Sequence, residues 1–133
     1  MDKRQQQRER YATGVEWESK YGYSRAIKIG NQIRVCGTAP VDDDGNTVGE
    51  DAAAQTKFVI QKIQKALAHF GASLEDVVQT RIYVTDISQY DEIGSVHGEF
   101  FGEIKPVTTM VEVSGLIQPG MFVEIEAEAI LQS

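Results

Sequence analysis

The chain has 133 residues, enough for one domain with a core of its own. Its 13 basic and 20 acidic residues leave a net charge of −7, which disfavours a nucleic-acid backbone as the main partner, because that affinity rests on clustered Lys and Arg. A single cysteine allows no internal disulfide, and no apolar run approaches the ~20 residues that cross a bilayer, so a cytoplasmic, non-membrane setting is expected.

Met1–Arg10 is polar, with Lys3, Arg4, Arg8 and Arg10 around Gln5-Gln6-Gln7, and it lacks the apolar stretch of a secretory signal. Residues 1–20 read as a solvated leader and residues 21–133 as the folded domain. Tyr23 to Ile29 and Gln32 to Gly37 read as two strands of a hairpin, joined at Gly30-Asn31, where the backbone can take the positive φ of a tight turn. Pro40 closes the second strand, and residues 41–48 carry turn chemistry. Asp42, Asp43 and Asp44 lack the alternating ligand pattern and distant glutamate of a calcium loop, so this segment reads as a solvated turn.

Over residues 52–70, Val59, Ile63, Ala66, Leu67 and Phe70 recur at helical spacing, between a capping Asp51 and a stopping Gly71, with Gln61, Lys62 and Lys65 on the polar face. Residues 77–85 alternate as a strand. A second helix spans 90–101, with Ile93, Val96 and Phe100 as its apolar stripe, and two strands follow at 107–113 and 121–131. This order predicts an α+β fold, a mixed sheet with both helices on one face. The other face needs a cover, so self-association is expected.

Glu124, Glu126 and Glu128 alternate along the last strand and share a face, about 7 Å apart. Alone, such a stripe is a solvent-facing row balanced by nearby cations. Cys36 reads as a small apolar filler, and His97 lies beside the buried stripe of its helix. With His69 as the only other histidine, no zinc or iron spacing is present.

Several segments together carry a family resemblance: Gly22-Tyr23-Ser24, Val35-Cys36-Gly37-Thr38-Ala39-Pro40, Ala52-Ala53-Ala54-Gln55-Thr56, Gly71 to Val78, Lys105 to Val113 and Val123 to Ala127. From Tyr21 to Leu131 the chain resembles the RidA/YjgF family of reactive intermediate deaminases, also called the endoribonuclease L-PSP family. The resemblance implies a chorismate-mutase-like fold, a homotrimer with a small-molecule cleft at each subunit interface, no cofactor, and hydrolysis of enamines or imines to ammonia. It makes Glu124 the residue that holds or activates the attacking water. Tyr23, Cys36 (where serine is usual), Gly37 and His97 become candidate substrate-binding residues. Thr108 stands where deaminating relatives carry the arginine that clamps the substrate carboxylate, and Gly94 where they commonly carry asparagine. Altered specificity is therefore expected, with Arg25 and Arg34 as candidate replacement cations. The alternatives are a non-catalytic metabolite-binding or sensing trimer and, as a minor one, an endoribonuclease or translation inhibitor.

Overall fold

The computed structural model describes residues 7–132. Its elements in chain order are β1 (Arg8–Tyr11), α1 (Glu16–Tyr21), β2 (Ala26–Ile29), β3 (Gln32–Thr38), α2 (Ala52–His69), β4 (Val77–Val84), α3 (Tyr90–Phe101), β5 (Val107–Glu112) and β6 (Val123–Ile130). The six strands form one sheet in the order β1-β2-β3-β6-β4-β5, antiparallel except for the parallel pair β4–β5. The architecture is the expected α+β mixed sheet, with α2 and α3 packed together against it.

Period-two patterning decides which face is covered. On β6, Val123, Ile125, Ala127 and Ala129 are buried toward the helices and the intervening glutamates face the other way. β4 repeats this with Thr80, Ile82 and Val84 inward. From above, α2 contributes Val59, Ile60, Ile63, Ala66 and Leu67, all buried. Its first turn is capped by the Asp51 carboxylate, which accepts from the Ala54 N–H at 2.8 Å.

The start of the domain differs from the sequence expectation. Residues 1–6 of the expected leader lie outside the described residues, but Arg8–Tyr11 is a strand of the sheet and Glu16–Tyr21 a helix, so the fold begins well before residue 21. Among the described residues there are accordingly three α-helices rather than two. An edge strand is held by backbone pairing, here with a Lys28–Glu9 ion pair at 3.4 Å, and needs no apolar period to signal it. The short α1 ends at Gly22, whose left-handed conformation (φ 76°) closes the last turn.

One irregularity positions the site. β3 pairs Val35 with Ala127 and then Thr38 with Ile125, so three steps on β3 match two on β6. The extra residue is a β-bulge at Cys36–Gly37, which bends the strand and re-aims what it carries.

Gln55 is the main polar group inside the core. It is fully buried, and its amide donates to the Gly49 and Gly120 carbonyls at 3.2 and 2.7 Å while its oxygen accepts from the Phe122 N–H at 2.7 Å. It thus ties the start of α2 to the entry of β6. Replacing it with Leu leaves those backbone groups unpartnered. Gln55→Leu is expected to cost about 2–3 kcal/mol in urea denaturation, with faster hydrogen exchange at Phe122.

Candidate functional site

The bulge brings Gly37 against Glu124, the first glutamate of β6. A Cβ on Gly37 would run into the Glu124 Oε2, so glycine here makes room for the carboxylate. Glu124 is half-buried, and this burial pushes its pKa up; Arg25 pulls it back, Glu126 pushes further, and Lys62 again opposes. The carboxylate opens on a cavity of about 950 Å³ whose wall includes Gly37, Tyr23, Arg25, Lys62 and Trp17. Segments 41–45 and 115–118 form its rim, and Thr47, just beyond the first, donates to Gln118 in the second at 3.3 Å.

The other two carboxylates of the stripe are compensated separately. The Tyr83 hydroxyl donates to Glu126, a bond that raises the tyrosine's own pKa. Glu128 sits 3.3 Å from Arg81 and 3.7 Å from Arg34. The cation-balanced reading holds for Glu128, whereas Glu126 is met by a tyrosine hydroxyl instead of a Lys or Arg.

Cys36 looks into a neighbouring cavity of about 610 Å³, which also includes Tyr23, Arg34 and Glu126. Tyr23 thus borders both cavities. The Cys36 thiol donates to the Gly37 carbonyl at 3.4 Å, and burial raises its pKa against the opposing pull of Arg25, which keeps it a thiol rather than a nucleophilic thiolate.

His97 and Thr108 are elsewhere. Thr108 pairs in register with the buried Thr80 on the helix-covered side of the sheet, and the Thr80 hydroxyl lies 2.9 Å from both Thr108 Oγ1 and His97 Nε2. The His97 ring stacks on Phe101 at 4.5 Å, and burial lowers its pKa. Within one chain, therefore, Tyr23, Gly37 and Glu124 meet, Cys36 flanks them, and His97 and Thr108 form a separate cluster that does not face Glu124. The reason is register: Thr108 shares a row with Thr80, while Glu124 points to the opposite face. Of the two candidate cations, Arg25 borders the main cavity, whereas Arg34 is engaged with Glu128.

Three contributors escaped the sequence reading. Lys62 sits on the outward face of α2 by helical period, but the segment after β3 folds back over it, so its ammonium donates to the Ala39 and Val41 carbonyls at 3.1 and 2.9 Å. Nothing local to α2 signals this. Trp17 fell inside the expected leader and Tyr21 at the first position of the expected domain; their i,i+4 spacing just before Gly22 was the available sign of a short helix with an aromatic edge.

Residues 13–131 match the family profile described as endoribonuclease L-PSP. A RutC family protein of Pyrococcus abyssi is 45% identical over 109 residues, 81% of this chain and 84% of that one. The 3-aminoacrylate deaminase RutC of Acinetobacter baylyi is 37% identical over 108 residues, 80% of this chain and 85% of the relative. Among solved structures, a member of the YjgF/YER057c/UK114 family from Mycobacterium tuberculosis superposes with a TM-score of 0.86 at 51% identity, covering 93% of this chain and 99% of that one.

The raised pKa of Glu124 has a stability consequence. An acid whose folded-state pKa is above its unfolded value loses stability as pH climbs from the unfolded value, about 4.3, through the folded one. Glu124→Gln removes that loss. Its melting temperature should match wild type near pH 4 and exceed it at pH 7 by about 1–3 °C, measured in parallel thermal melts.

Proposed function

The chain belongs to the endoribonuclease L-PSP family, also called RidA/YjgF, and on that premise we propose that it is a cofactor-free hydrolase releasing ammonia from imine or enamine intermediates. The observation that carries this reading is Glu124, half-buried against Gly37 with its carboxyl pKa raised, at the wall of a cavity large enough for a metabolite. A relative named as a 3-aminoacrylate deaminase supports the same chemistry.

In this mechanism an enamine first takes a proton on carbon to become the imine. Water adds to the imine carbon as Glu124 takes one of its protons and passes it to the imine nitrogen, forming a neutral carbinolamine. Glu124 then takes the carbinolamine hydroxyl proton and delivers it to nitrogen as the C–N bond breaks, so that the carbonyl product and ammonia leave. The net change is C=NH plus H2O to C=O plus NH3. A carboxyl group with a raised pKa suits both directions of that transfer.

The placement of Thr108 bears on specificity. Because it lies on the opposite side of the sheet from Glu124 in one chain, its part in a cleft would come from a second copy, as in the homotrimer with interfacial sites that the family resemblance implies. A threonine hydroxyl offers one neutral hydrogen bond where an arginine would offer two charge-assisted ones. That is the basis for a substrate range different from that of the arginine-bearing deaminases. It also keeps open a second reading, a trimer that binds its metabolite without turnover.

The deciding measurement is ammonia release from imines generated in situ from a panel of amino acids. Glu124→Gln is expected to lower turnover by at least about 100-fold while ligand binding persists. Activity in wild type should rise with pH along a limb lying above the ordinary carboxylate range, because the base form of Glu124 is needed for water attack. Absence of ammonia from every imine, with saturable binding retained, would favour the binding protein.

Gly37→Ala should keep the fold, since Gly37 does not use a positive φ, but displace the Glu124 carboxylate. Its circular dichroism spectrum is expected to match wild type while kcat falls by about tenfold or more.

A further inference from the structure

The main cavity holds two cations that the hydrolytic step leaves unused. Arg25 has its backbone clamped between strands: its N–H donates to the Tyr11 carbonyl at 2.9 Å, and its own carbonyl accepts from the Cys36 N–H at 3.0 Å. Its guanidinium makes no ion pair among the described residues. Lys62 enters the same cavity from α2 with two of its three ammonium protons committed to the Ala39 and Val41 carbonyls, which leaves one donor.

We infer that Arg25 and Lys62 are the anion-holding end of this cavity, taking the carboxylate of a substrate whose bulky apolar or aromatic part rests against Trp17, Tyr21, Tyr23 and Ile117. The inference rests on the hydrolase reading for what happens to the substrate, but not for what binds. Three observations support it.

The first is charge. Burial lowers the Lys62 pKa, and the next contribution is repulsion from Arg25; Cys36, Asp43 and Asp42 act in the other direction with smaller effect. Two like charges held within reach of each other in a half-buried place are stabilised by an anion between them. On the acidic rim, Asp42 accepts through Oδ1 from the Asp44 and Asn46 N–H groups at 3.0 and 2.9 Å, and Asp43 acts on Lys62 more weakly than Arg25 does.

The second is the wall. Trp17, Tyr21, Tyr23 and Ile117 all border the cavity and are all exposed, an apolar surface next to a charged end. The third is Glu124, which borders the same cavity and feels both cations. A carboxylated imine anchored at Arg25 and Lys62 therefore lies within the space that Glu124 serves. This assigns to Lys62 and Arg25 the charge complement that Thr108 does not supply.

The test uses binding, so that it stands apart from turnover. Trp17 is the only tryptophan of the chain, and its fluorescence reports directly on the cavity. The probes are 3-phenylpropanoate and its uncharged counterpart 3-phenylpropan-1-ol, titrated into the full-length protein. Wild type should bind the acid at least about tenfold more tightly than the alcohol. Lys62→Met and Arg25→Met should each erode that preference, and Lys62→Arg, which keeps the charge, should retain it. Circular dichroism of each variant checks folding, and Lys62→Arg and Arg25→Met carry the test should loss of the two carbonyl contacts unfold Lys62→Met. Equal affinity of wild type for acid and alcohol, or a preference that survives in Arg25→Met with Lys62→Met, would overturn the inference. Charge-dependent binding without ammonia from any imine would leave it standing and retire the hydrolase reading instead.

Discussion

Three carboxylates on one face of a central strand are the constraint around which this molecule is arranged. β6 lies between β3 and β4, and its small and branched residues must face the helices, so Glu124, Glu126 and Glu128 are forced together on the other side. Each needs its own compensation. Glu128 has two arginines, Glu126 has a tyrosine hydroxyl, and Glu124 has neither. It is left half-buried beside a glycine, held in balance by two more distant cations, with its proton affinity raised. The same alternation that builds the core thus isolates one half-buried acid that lacks a close cation.

The bulge at Cys36–Gly37 makes that isolation possible. In an unbroken ladder, residues of β3 would oppose β6 one for one; with an extra residue, the chain bends where the smallest side chain meets the glutamate. Around it, the segments after β3 and after β5 meet over the cavity, and α1 brings aromatic rings to its mouth. The cavity is therefore lined from several separate parts of the chain, whereas the Thr80–His97–Thr108 cluster belongs to the opposite layer.

Most of the fold was legible because its strands and long helices follow strict periods. The alternation on β4 and β6 and the apolar stripe of α2 gave the element types, and the α3 bounds matched residue for residue, but at the start of β4 a register shift buries Val77 and exposes Val78 against the alternation. What escaped was held together by something other than apolar pattern. Arg8–Tyr11 joins the sheet through backbone pairing, and α1 is a single short helix closed by Gly22. In the site, Glu124 and Gly37 were legible through motif resemblance, although their contact follows from a bulge with no period of its own. Lys62 was not legible, since a helix's own period says which face a residue occupies but not which loop folds over it. Thr108 and His97 were expected in one cleft with Glu124, but sheet register, invisible in a single strand, puts them beside Thr80 on the other side of the sheet within one chain.

The strand order has a consequence for how the chain reaches this state. β6 is the latest-made strand and takes a place in the middle of the sheet, not at its edge. Until it arrives, β1-β2-β3 and β4-β5 are two fragments, each with an open inner edge whose N–H and C=O groups are unpaired. The β3–β6 pairing spans most of the chain, which makes the final step a long-range and therefore slow one. During synthesis the cell must shelter two half-sheets that have no bond to each other, and the strand that at last joins them also delivers the acid of the site.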